Sequence, residues 1–138
     1  MKKVLIGTVA VFIAMNAFDY VVHGMILAEA YKATANLWRP DMQSMMWIYS
    51  VISLVSAFFF SFIFSKGFEG KGIAEGARYG LYIGIWMSIG MAYGTYAMIA
   101  IPYAMAMQWF LYGIVGYVLY GIILALVFGK KTEATPAA

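Results

Sequence analysis

The chain contains no cysteine, which removes disulfides, thiolate metal ligands and cysteine nucleophiles together. It has one histidine, so a single copy cannot supply two axial imidazoles to a haem, and no metal or cofactor is expected. Charge is scarce, at 11% of residues against about 25% in soluble domains. With 64% apolar side chains in 138 residues, so few charges cannot clothe a water-facing surface, and the lipid bilayer is the expected solvent. The net charge of +3 is an orientation signal, not a basic footprint for nucleic acid, and no nucleic-acid partner is expected. The glycines between Lys66 and Glu75 do not form the GxxxxGK[ST] pattern that cradles phosphate. No serine stands beside a base at motif spacing and no histidines are paired, so a self-contained enzyme is not expected either.

What is present is apolar sequence in four long runs. They predict an all-α, integral membrane four-helix bundle with short loops, in one domain over 1–131. The spans fall at about 4–22, 43–65, 75–100 and 104–128, and 132–138 forms a disordered tail. Lys2 and Lys3 before an apolar run resemble a signal peptide, but Val4 to Val22 is long enough to span and no Ala-x-Ala site closes it, so an uncleaved first helix is expected. The stretch 23–36 either continues that helix or lies on the surface, and Trp38-Arg39-Pro40 stops it. Asp41 is placed to cap the second helix. Trp47 and Tyr49 follow at the level of an aromatic belt. The charged run from Lys66 to Glu75 reads as a solvated loop beside the lipid, and Ile101-Pro102 as the tight turn on the other side.

Charge then orients the spans. With four of them, Lys2, Lys3, Lys66, Lys71, Arg78, Lys130 and Lys131 share one side, and only Lys32 and Arg39 lie on the other. By the positive-inside rule both termini are cytoplasmic, in a multi-pass protein of the inner (cytoplasmic) membrane.

Small residues recur every fourth position along the third run: Gly76, Gly80, Gly84, Ser88 and Ala92. Gly113 and Gly121 lie on a similar stripe of the fourth. In lipid such stripes let helix backbones approach closely. Packing within the chain is the leading expectation, with an interface to a like or unlike subunit as the alternative. The eleven methionines are scattered and read as apolar filler.

One polar constellation stands out. Asn16, Asp19 and His23 share a narrow sector of the first helix, flanked by Tyr20. The leading reading is an interfacial polar patch in which His23 donates to Asp19 and nothing reacts. A proton or solute path and a contact site for another protein stay open, while two ligands at four-residue spacing are too few for a metal or haem. Glu29 and Lys32 are spaced for a water-facing ion pair, and Arg39 beside Trp38 is placed to snorkel or to bind an anionic headgroup.

The segments FDYVVHGMILAEAYKATANLWRP (from Phe18) and FSKGFEGKGIAEGARYGLYIG (from Phe64), under half of the chain, resemble those of small uncharacterised bacterial inner-membrane proteins with four transmembrane helices. The resemblance implies a bacterial membrane location and transfers no catalytic role. Together these features favour a binding or accessory subunit acting through helix–helix contacts, with a membrane-protein partner or a homo-oligomer. The alternative is a small, dimeric transporter or channel with Asn16, Asp19 and His23 at its outer mouth.

Overall fold

The apolar runs without internal proline form long helices, and the few Pro and Gly–charge segments end them. In the computed structural model, which describes residues 1–129, α1 covers Lys2–Asp19 and continues without a break into a π-helical turn, Tyr20–Ile26. A short α2 (Ala28–Ala33) and two 3-10 turns (Ala35–Leu37 and Met42–Met45) lead to α3, Trp47–Gly67. Two 26-residue helices follow, α4 over Ile73–Met98 and α5 over Tyr103–Phe128. No strand occurs among the described residues. The tail expected to be disordered, with Lys130 and Lys131, lies outside them.

Among the described residues three stretches are long and apolar enough to cross a membrane: Lys2–Ile26, Met42–Gly67 and Tyr103–Phe128. By length and composition these helices are compatible with a multi-pass membrane protein. α4 equals α5 in length, but its glycines and the Glu75 and Arg78 of its first turns lower its hydropathy.

Asp41 is not the cap expected of it. α3 begins at Trp47, and no side chain bonds its first turn. The Asp41 carboxylate instead takes both arms of the Arg39 guanidinium, Nε at 2.8 Å and Nη2 at 3.0 Å, while its backbone oxygen accepts from Ser44. A charge-assisted fork outcompetes a single neutral N–H.

α1 packs against both α3 and α5, and α4 packs against α5. The α4–α5 contact is the most extensive and is made backbone to backbone. A Cβ on Gly76 would overlap the Gly121 carbonyl oxygen, one on Gly121 the Gly76 oxygen, and one on Gly80 the Tyr117 oxygen. Gly84 meets the Tyr117 side chain and Ile114, and Gly113 faces Ser88. Gly76, Gly80, Gly84, Ser88 and Ala92 are all buried on this seam. The small-residue stripe is therefore occupied inside the chain. Such approach brings carbonyl oxygens onto Cα–H groups and maximises dispersion, the main source of attraction between helices in lipid.

α3 meets α4 through Tyr79: its hydroxyl donates to the Phe60 carbonyl oxygen (2.7 Å), and its ring lies 4.7 Å from Phe60 and 5.2 Å from Phe64. These contacts belong to a core of Val11, Met15, Phe60, Phe64, Leu124 and Phe128 toward the charged end. A second core, Val22, Leu27, Ile101, Met105 and Trp109, fills the far end. At the charged end Lys3 Nζ donates to the Phe128 carbonyl (2.6 Å), placing a cation on the negative terminus of α5.

Candidate functional site

The π-helical turn sets the geometry of the far end. Its wider winding closes with a bond from the Leu27 N–H to the Val22 carbonyl, five residues back (2.8 Å). That extra residue per turn breaks the shared sector that regular helical spacing predicts for Asn16, Asp19 and His23. Asn16 is exposed and donates to its own helix at the Phe12 carbonyl (2.8 Å). Asp19 is exposed and makes no hydrogen bond or ion pair with the described residues. Tyr20 is 70% exposed. His23 turns inward: its Nδ1 lies 2.7 Å from the Tyr31 hydroxyl of α2. The expected His23–Asp19 bond is thus replaced by His23–Tyr31, because the π turn carries the imidazole toward α2 and away from the carboxylate.

Around this bond stands an aromatic group that sequence reasoning did not assemble. Tyr31 stacks on Trp109 of α5 at 6.2 Å, Trp38 lies 5.7 Å from Tyr31 and 6.1 Å from Trp109, and His23 meets the edge of Trp109 at 6.4 Å. The Trp38 indole N–H donates to Thr34 Oγ1 (3.1 Å), whose own hydroxyl donates to the Ala30 carbonyl (2.9 Å). Burial pushes the Tyr31 hydroxyl well above its ordinary range, and Tyr49 and Asp19 push it the same way. Tyr31 therefore keeps its proton at physiological pH and can donate to an unprotonated Nδ1. The Trp109 N–H itself is buried without a hydrogen-bond partner among the described residues.

Beside Tyr31 and Trp38 opens a cleft of about 400 Å³ that also borders Lys32, Arg39 and Gln43. The expected Glu29–Lys32 pair forms here, at 2.6 Å and largely exposed to solvent.

The charged end holds the second polar feature that the sequence reading missed. The loop read as merely solvated is organised by Glu75, which is 5% exposed. One carboxylate oxygen accepts the Glu69 N–H (2.6 Å) and the other the Lys71 N–H (2.7 Å). Gly70 (φ 83°) and Gly72 (φ 79°) supply the left-handed turns that aim these amides inward. The signal was available: an acidic residue at the third helical position reaches back to orphan N–H groups, with a glycine here where a serine or threonine usually caps. Glu69 pairs with Lys71 and lies 3.8 Å from Arg78 on the outside of the loop. The adjacent cleft, about 150 Å³, is bordered by Glu75, Tyr79 and Tyr82.

Within α4, Ser88 is buried against Gly113, and the Tyr93 ring packs on Tyr103 and Phe110. Among the described residues no three His, Asp or Glu side chains gather as a metal site. No protein-family model matches the chain, and no curated protein and no solved structure is detectably similar to it.

Proposed function

We propose that the chain is a four-span protein of the cytoplasmic membrane, with both ends on the cytoplasmic side, that acts as a binding or accessory subunit through helix contacts and carries no chemistry of its own. Membrane placement is supported by the three long apolar stretches. α4 joins them as the fourth span because it lies backbone to backbone on α5 from Gly76 to Ala92. If α5 crosses the bilayer, α4 crosses beside it, hiding its glycine face from lipid. Orientation is supported by the gathering of Lys3, Lys66, Lys71 and Arg78 at the end where α5 finishes, with Lys32 and Arg39 at the other.

The observation that carries the binding reading is the outer half of α3. From Met46 to Ser56 no residue is buried, and Trp47, Val51, Ile52, Leu54 and Val55 stand 49–64% exposed. Burial starts only at Ala57. The glycine face is already filled by α5, so a partner helix is sought on α3, where half a span buries no residue against the other described residues.

The test is mild-detergent extraction from the native membrane, with mass analysis of what co-purifies, repeated with a photo-crosslinking residue at Leu54. A stable complex containing a second polypeptide, crosslinked through position 54, supports the reading. A monomer with no crosslink sinks it, and a homodimer alone shifts the assignment toward a dimeric transporter or channel.

A further inference from the structure

At the far end the chain between the first two apolar helices folds back on itself and forms the cleft bordered by Tyr31, Lys32, Trp38, Arg39 and Gln43. Its volume, about 400 Å³, falls within the range of small-ligand sites. The lining combines an ammonium, a guanidinium fork, an amide and two aromatic faces whose centres are 5.7 Å apart. Each cation already has a carboxylate, Glu29 for Lys32 and Asp41 for Arg39. These pairs are open to solvent, with side-chain exposures of 73% and 84% in the first and 64% and 48% in the second. Exposed pairs contribute little, so a phosphate can take the Arg39 fork from Asp41 at small cost.

Two further features narrow the ligand. The local charges balance, two basic against two acidic, which disfavours a multiply charged soluble anion and suits a group carrying both signs. A phosphate would meet Arg39 and Lys32, and a neighbouring ammonium the faces of Tyr31 and Trp38 or the released carboxylates. The cleft also lies between the ends of two apolar stretches, Ile26 and Met42, at headgroup level for a chain that spans there.

We infer that this cleft binds the headgroup of a zwitterionic phospholipid in the adjacent leaflet, with the phosphate on Arg39 and Lys32. The inference rests on the membrane placement proposed above but not on a protein partner, so a chain that captures no partner can still hold the lipid.

Native mass spectrometry of the purified full chain tests it, with phosphatidylethanolamine, diacylglycerol and glycerol 3-phosphate as probes. The wild type is expected to retain phosphatidylethanolamine under activation that strips diacylglycerol. Lys32→Gln with Arg39→Gln should lower the retained fraction by about tenfold or more. Lys66→Gln, at the opposite end, should leave it unchanged. Both substituted side chains are exposed, and an unchanged helical circular dichroism spectrum would show that loss of lipid is not loss of fold. Should the double variant misfold, Arg39→Lys, which keeps the charge and removes the fork, is expected to lose part of the retention. Equal retention by the double variant, or by Arg39→Lys where only that variant folds, overturns the site, as does equal retention of diacylglycerol. Displacement of the lipid by millimolar glycerol 3-phosphate overturns the lipid as ligand in favour of a soluble phosphate. Recovery of the chain without detergent would overturn the membrane placement itself, before any lipid is added.

Discussion

At His23 one hydrogen bond ties the π turn to α2, and its contribution can be isolated. Tyr31→Phe keeps the ring stacked on Trp109 and removes only the hydroxyl, so it should cost about 1 kcal/mol in detergent unfolding. A double-mutant cycle should show coupling between positions 23 and 31 and none between 19 and 23; coupling of Asp19 to His23 would contradict the geometry. Tyr31 also carries a pH signature. Because burial raises its folded pKa above the ordinary value near 10, the associated stability is complete below that pH and is lost as pH climbs past it. Tyr31→Phe should make stability above pH 10 fall less steeply than in the wild type, as read by unfolding from pH 8 to 11. At the other end, Glu75 accepts two charge-assisted bonds. Glu75→Gln offers one acceptor oxygen and presents N–H to an N–H, so a loss of about 2 kcal/mol and faster proteolysis at Glu69–Lys71 are expected. An unchanged cleavage rate would show that the loop is held by something else.

Among the elements, α4 offers an internal control, because its glycines fall in two environments. Gly80 meets the Tyr117 carbonyl oxygen, a backbone atom that cannot move aside, whereas Gly90 faces open space. Gly80→Leu should therefore cost more than the 1–3 kcal/mol of ordinary overpacking, about 4 kcal/mol or loss of the fold. Gly90→Leu should be neutral or stabilising by about 0.5–1 kcal/mol, through helix propensity alone. Thermal unfolding of both variants in one detergent compares them directly, and equal destabilisation would mean the α4–α5 seam is not where the structure puts it. α3 behaves as two halves. Its inner half is anchored by Ala57, Phe60, Ser61 and Phe64, while its outer half, from Met46 to Ser56, holds no buried residue.

For the molecule as a whole, helix directions make a prediction about sides. Residues 2–26, α3, α4 and α5 alternate in direction, since Lys3 meets Phe128, Phe64 and Phe68 pack on Phe128, and His23 packs on Trp109 at the opposite end. Reporter fusions after Glu69 and after Ala138 should label the cytoplasmic side, and one at Asn36 the opposite side. Asn36 and Glu69 reporting the same side would overturn the topology. The two cores, one at each end, are joined chiefly through α1 and α5, so loosening of the far end need not unfold the charged end.

By itself the sequence determined the class of the protein, because composition decides the solvent. Few charges and long apolar runs leave only lipid-compatible helices, and Pro40, Pro102 and the glycine–charge run after Lys66 mark where those helices end. The four-residue spacing of Gly76, Gly80, Gly84, Ser88 and Ala92 also made a close seam legible, since that period alone puts them on one face. Only the tertiary structure decided which surface the seam meets, because spacing gives a face and not its partner; α5 supplied Gly121, Tyr117 and Gly113. It also redirected His23. A π turn is a local widening that regular periodicity does not foresee, and it exchanged Asp19 for Tyr31 as the neighbour. Trp109, distant in the chain, could join Tyr31 and Trp38 only once α5 had folded back beside α1, since contacts of that range come from packing and leave no local pattern to read.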